Sequence, residues 1–254
     1  MSIQKKIEVF GDSLLKGVQM RIEIFGDSIL KGVQLDTSKM RYHVDNNIDL
    51  QLIGSKHSLD ITNHSRFGCT VTKGYDLIKK WLHGNTTPCN AMIMDFGGND
   101  CDYIWKDISE RPYDEHLPNT PIDIFVETYH KIIDLLKKHS VPVILTTLPP
   151  LEPQRFFDWF CKGLNKENVM KWLGTVNAIY RAQESYSRAI ENIASETNTM
   201  LVDLRGAFLK HRYIEDYLCE DGTHPNTKGQ KIITDALMEF ADMVALRSDM
   251  GFDY

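Results

Sequence analysis

The sequence predicts an α/β fold: a three-layer α/β/α sandwich in which helices cover both faces of a parallel sheet. Three observations carry that expectation. Apolar runs of strand length alternate along the chain with segments whose apolar residues recur every 3.6 positions. Several of the runs, Ala91 to Phe96 and Val141 to Thr147 among them, are mostly apolar, as expected of strands covered on both faces. The chain has 254 residues, 42% of them hydrophobic, enough to fill the core of one domain.

The first strand is Ile22-Glu23-Ile24-Phe25, ending at Gly26, with Asp27 and Ser28 where a helix can begin over Ile29 to Val33. Residues 35–59 are mixed and polar, with a short strand at Leu50 to Ile53. A strand at Leu59 to Thr62 leads into Asn63 and Gly68, and Gly74, Leu77, Ile78, Trp81 and Leu82 mark a helix that stops at His83-Gly84. The run from Ala91 ends at Gly97-Gly98. Thr120-Pro121 has the cap and first-turn proline of a helix whose stripe is Phe125, Tyr129, Ile132, Ile133 and Leu136. After the strand at Val141 to Thr147, one long helix is expected at about 170–197, on the stripe from Trp172 to Ile193. Met200 to Leu204 is the last strand. Thr227 with Gln230 has the pattern of a capping box ahead of a closing helix through Val244.

Ser28 therefore stands at the carboxyl edge of a sheet, where open α/β sheets place their ligands. On its own, Gly-Asp-Ser reads equally as a capped turn. A serine hydroxyl is a weak nucleophile at neutral pH and needs a base within hydrogen-bond reach, which in turn needs a partner to fix its tautomer. Asp221-Gly222-Thr223-His224-Pro225 supplies both from one turn, His224 as base and Asp221 as its orienter. Two further stretches, Asn63-His64-Ser65-Arg66-Phe67-Gly68 and Gly97-Gly98-Asn99-Asp100, follow predicted strands and so open on the same rim.

In this order and with these spellings the four stretches resemble the SGNH hydrolases, also called the GDSL esterase/lipase family, from Ile22 to about Val244. The resemblance implies a flavodoxin-like strand order and hydrolysis of carboxylic esters through an acyl-enzyme, with no cofactor. It also implies an oxyanion hole built from the backbone N–H groups of Ser28 and Gly68 and the side-chain amide of Asn99. Asp100 reads as structural, orienting its loop. One alternative nucleophile pattern is absent, because Leu30 stands where Gly-x-Ser-x-Gly requires its second glycine. A different class of reading is a non-catalytic binding protein that keeps the fold.

A net charge of −6 with scattered lysines offers no footprint for nucleic acid. No apolar run reaches the ~20 residues of a spanning helix, and the first residues lack the apolar stretch of a signal peptide, so no membrane insertion and a cytoplasmic location are expected. The five cysteines are odd in number and widely spaced, which predicts reduced thiols. Nine scattered histidines show no metal-ligand spacing. The expected partner is a small-molecule ester; no oligomeric state follows. The aromatic-rich excursions Cys101 to Asn119 and Leu148 to Val169 read either as substrate-facing loops or as segments packed onto the domain.

The nucleophile segment occurs twice. Ile7 to Gln19 reads IEVFGDSLLKGVQ and Ile22 to Gln34 reads IEIFGDSILKGVQ. If Ser13 held the site, the apolar residues of the second copy would need burial elsewhere. Ser28 is therefore the expected nucleophile, with residues 1–21 an extension and 22–254 one catalytic domain.

Overall fold

The computed structural model describes residues 20–45, 47–85 and 87–249. The first copy of the repeat, with Ser13, lies outside the described residues.

Strand β1 (Met20–Gly26) lies at the centre of the site-bearing half of the sheet. Its alternation sends Ile22 and Ile24 to one face and Phe25 to the other, and all three are buried. It pairs in parallel with β4 (Leu59–Asn63) on one side and β5 (Ala91–Asp95) on the other, setting Ile24 level with Asn63 and Ile93. Strands β6 (Val143–Thr146) and β7 (Met200–Val202) extend the sheet beyond β5, also in parallel. The order β4-β1-β5-β6-β7 is the flavodoxin-like arrangement implied by the resemblance. A separate antiparallel hairpin, β2 (Val33–Asp36) and β3 (Arg41–Val44), stands between β1 and β4 in sequence.

One face of the sheet is covered by α2 (Val71–Gly84), α4 (Ile122–Lys138) and α7 (Asn177–Thr197), whose Ile78, Phe125, Ile132 and Ile190 meet Phe25, Met92 and Leu145. The other is covered by α1 (Leu50–His57), α8 (Leu204–Leu209) and α9 (Thr227–Asp249), through Ile53, Phe208, Ile233 and Leu237 against Ile22, Ile24 and Ile144. Each such side chain contributes roughly 1.5–3 kcal/mol on full burial, which holds the three layers together. Three shorter helices, α3 (Trp105–Glu110), α5 (Pro153–Phe160) and α6 (Lys166–Leu173), form a satellite cluster beyond the strand ends.

Several expectations are corrected. Leu50 to Ile53 is helix, because the Asp49 carboxylate accepts the Leu52 N–H at 2.7 Å and caps it. The helix expected at 170–197 is two: Gly174, at φ +70°, ends α6 by donating its N–H to Met170 O at 2.8 Å, and α7 begins three residues on. Trp172 accordingly packs with the satellite cluster rather than in the α7 stripe. The last strand stops at Val202, since Asp203 turns the chain into α8 by accepting the Gly206 N–H at 2.8 Å. Helix α9 is capped by Asn226, which accepts from Lys228 and Gly229 at 3.0 and 3.1 Å, and not by a Thr227–Gln230 box. Pro121 precedes α4, and no Thr120 side-chain bond caps it.

Candidate active site

The chain leaves β1 through Asp27, whose N–H donates to Asp95 O at 3.0 Å and whose carboxylate accepts the Ile29 N–H at 2.8 Å. These bonds fix the turn that carries Ser28. No helix follows: Val33 N–H returns to Ser28 O at 3.0 Å and the chain enters β2. The turn needs a glycine at 32, where φ is +74° and a Cβ would stand 2.5 Å from Asp45 O. Ser28 is thus presented by a tight turn between two strands rather than by a helix amino terminus.

The turn bearing Asp221 and His224 is anchored on α5. Gly222, at φ +73°, lies so close to that helix that a Cβ would meet Phe156 N at 2.6 Å, and its carbonyl accepts the Glu152 N–H at 2.8 Å. The Asp221 Oδ1 accepts the N–H groups of Thr223 and His224, each at 3.1 Å, which closes the turn around the carboxylate. Its Oδ2 lies 2.7 Å from His224 Nδ1, and His224 Nε2 lies 2.9 Å from Ser28 Oγ. Burial of Asp221 opposes its ionisation, yet the hydrogen bond and charge of His224 with the two backbone donors outweigh it and hold the carboxyl below its ordinary value. The charged acid orients Nδ1–H toward itself, leaving Nε2 to accept the Ser28 proton. Ser28, His224 and Asp221 are all buried.

Asn99 joins this group from the loop after β5. Its Nδ2 donates to Asp27 Oδ2 at 3.0 Å and to Cys69 O at 3.4 Å, tying the residue before Ser28 to the residue after Gly68. Gly68 adopts φ +68° in the loop after β4, which is held to β1 by Arg66 N–H to Gly26 O at 3.0 Å. The base of that loop is locked by His64, which pairs with buried Glu23 at 2.5 Å and stacks on Phe25 at 4.7 Å. Asp100 accepts the Val71 N–H at 3.0 and 3.1 Å and caps α2, so it orients structure rather than facing Ser28. Asp27 itself is raised well above the ordinary carboxyl value by burial and by the neighbouring Asp95.

Three aromatic residues stand beside the site: Tyr42 and Phe67 had no assigned role in the sequence reading, and Trp159 belongs to the second aromatic excursion. Tyr42 of β3 lies 5.0 Å from the His224 ring, beside the Asp221 carboxylate, and Phe67 stacks parallel to His224 at 5.9 Å. Trp159 of α5 packs edge-on against Tyr42 at 6.2 Å. Burial and the Asp221 charge push the Tyr42 phenol far above its ordinary 10, so it stays a donor. The two aromatic excursions pack on each other, Trp105 stacking on Phe160 at 3.9 Å, and they also wall a cavity beside the site. Among the described residues no group of three or more His, Cys, Asp or Glu is placed to hold a metal ion, and no helix is long and apolar enough to cross a membrane.

A five-stranded parallel sheet in this order, with Ser28, His224 and Asp221 in hydrogen-bond contact on its carboxyl rim, has the layout of an SGNH-type hydrolase. The chain belongs to the GDSL-like lipase/acylhydrolase family, whose model matches residues 24–232. Among solved structures it is similar to a lipase/acylhydrolase from Enterococcus faecalis, with a TM-score of 0.59 and 18% identity over 88% of this chain and 96% of that one. A lipolytic G-D-S-L family protein from Veillonella parvula gives 0.58 and 16% identity over 87% and 97%. A catalytic mutant of an acetylxylan esterase from Geobacillus stearothermophilus gives 0.56 and 19% over 87% and 94%. No curated protein matches the chain in sequence. The family supports ester hydrolysis as the general activity, and the structural neighbours share the fold.

Proposed function

We propose that the chain hydrolyses carboxylic esters of small molecules through an acyl-enzyme, with Ser28 as nucleophile, His224 as base and then acid, and Asp221 as orienter. The observation that supports this most is the continuous run from Ser28 Oγ to His224 Nε2 at 2.9 Å and from Nδ1 to Asp221 at 2.7 Å. As Oγ attacks the acyl carbon its proton passes to Nε2. The imidazolium then gives that proton to the departing alkoxide as the ester C–O bond breaks. A water molecule, deprotonated by His224, repeats the attack on the acyl-enzyme and releases the acid and Ser28. In this reading the Ser28 and Gly68 N–H groups face the oxyanion, joined by the Asn99 amide hydrogen that exchanges its long 3.4 Å bond to Cys69 O, and such donors are worth several kcal/mol in a dry site.

Residues 22–254 are read as one catalytic unit and residues 1–21 as an extension. A chain beginning at Met20 is expected to fold and to turn over p-nitrophenyl esters at near the full-length rate. In that chain Ser28→Ala or His224→Ala should lower kcat by at least ~10³-fold, as in triads whose members act as one unit. A variant that kept more than about a tenth of the rate would remove the residue from the mechanism. A folded but inactive Met20 chain would assign the nucleophile to Ser13.

A further inference from the structure

Between the two aromatic excursions lies a cavity of about 160 Å³, with walls formed by Tyr103, Trp105, Phe156 and Trp172. Two of its lining residues are Gly98 and Thr223, which immediately precede Asn99 and His224, so the cavity lies beside the site. At Gly98 the backbone comes so near the nucleophile turn that a Cβ would stand 3.2 Å from Asp27 Oδ2. From α7 the cavity is lined by Ala178, Ile179 and Ala182.

Several polar groups of this lining are already hydrogen-bonded, which leaves the Tyr103 phenol and the Thr223 hydroxyl to meet a ligand. The Trp105 indole N–H donates to Asp102 at 2.7 Å, and the Cys101 thiol donates to Gly98 O at 3.3 Å. Gln183 donates to Pro149 O at 2.9 Å and accepts from the buried Arg205 guanidinium at 3.0 Å. A sugar ring carries more hydroxyls than these two groups can serve, and each one left without a partner costs roughly 1–3 kcal/mol. An apolar group meets aromatic faces and small aliphatic side chains and gives up only water. A dry apolar cavity of ~150 Å³ is large enough for a benzene ring, which is the size of a chain of about five or six carbons.

We infer that this cavity is the acyl pocket, and that the substrates are esters of compact apolar acids of about four to six carbons, straight or cyclic. The inference rests on the reading of Ser28 as nucleophile. With the acyl carbon at Ser28 Oγ, the chain runs past Gly98 into the aromatic walls, while the leaving alcohol points toward His224, Tyr42 and Phe67. Each methylene buried adds about fourfold to kcat/KM. The walls end the gain, because a longer chain meets Trp172 and Ile179 instead of open space.

The test is the acyl-length profile of p-nitrophenyl acetate, butyrate, hexanoate, octanoate and decanoate. Wild-type kcat/KM should climb roughly 250-fold from acetate to hexanoate, at about fourfold for each of the added methylenes, and fall beyond it. In Ala182→Phe, which fills the cavity from α7, the hexanoate-to-acetate ratio should collapse to within about threefold. Trp105→Ala should move the optimum to octanoate or longer, and if it does not fold, Ala182→Phe alone decides. A flat profile, a rise that continues through decanoate, or an unchanged ratio in Ala182→Phe overturns the pocket. Ser28→Ala separates the two levels: with turnover lost there, a wrong profile condemns only the pocket, whereas full turnover there condemns the mechanism. In that second case the pocket stands or falls by quenching of tryptophan fluorescence with hexan-1-ol, present in the wild type and lost in Ala182→Phe.

Discussion

Asn99 and Asp27 have no bond to the reacting serine hydroxyl, yet their contact aligns the two loops that would surround an oxyanion. The buried Asp27 carboxyl takes one amide hydrogen of Asn99 at 3.0 Å, which fixes the plane of the amide. An oxyanion donor acts in the transition state more than in the ground state. Asn99→Ala is therefore expected to lower kcat by about 10²–10³ with a smaller change in KM, measured on one ester at saturation. A change confined to KM would show that Asn99 binds substrate and does no more. Ser28, Asp221, His224, Gly68 and Asn99 were legible in the sequence as candidates, because each sits in a short spelled motif that ends a strand or opens a helix, and the contact of Ser28 with His224 and Asp221 is what the structure adds. Tyr42 was not, since its partner Asp221 is distant in sequence and the stretch around it has no apolar period. Only the tertiary fold brings that phenol to the acid.

At the scale of elements, the hairpin of β2 and β3 does what the sequence reading gave to a helix after Ser28. A tight turn through Gly32 sends the chain outward, and the hairpin returns Tyr42 over His224. The long apolar-periodic helices and the buried strands of the main sheet were read from their patterns with small shifts of boundary. The misread elements are short, and their caps decided them: Asp49 made a helix of 50–57, Gly174 cut one helix into two, and Asp203 ended a strand early. A cap acts through one hydrogen bond, which periodicity does not register. The hairpin assigns Tyr42 a positioning role, its phenol set beside the charged Asp221 carboxylate. Tyr42→Phe should lower kcat with KM nearly unchanged, since a phenol dipole beside a buried carboxylate favours its charged form. Tyr42→Ala should also raise KM, because the ring packs against Phe67 at 5.3 Å. Equal kinetics for Tyr42→Phe and wild type would reduce the residue to packing.

Over the whole molecule, several carboxyls lie beneath the strand ends, and their burial makes stability depend on pH. Burial raises Asp95, Asp100 and Asp102 from the ordinary 3.8 to about 6. Between those values the unfolded chain has lost protons that the fold retains, so this contribution to stability is full below 3.8 and is lost as pH rises through about 6. Asp221 has the opposite sign: its carboxyl is held below 3.8, so its contribution is present above that pH and lost in stronger acid. Melting temperatures should thus fall between pH 4 and 6.5, and Asp100→Asn should flatten part of that slope; an unchanged slope would mean that Asp100 is ionised in the fold throughout. The central claim, that Ser28 is the nucleophile of an esterase, is tested most directly by labelling the full-length chain with a p-nitrophenyl phosphonate and mapping the modified serine. The tryptic peptides IEVFGDSLLK and IEIFGDSILK differ by one methylene in mass, so the two copies are told apart. One equivalent of p-nitrophenol released, the phosphonyl group on Ser28, and ester turnover lost in proportion is the predicted result; a label on Ser13, or turnover that survives stoichiometric labelling of Ser28, would contradict it.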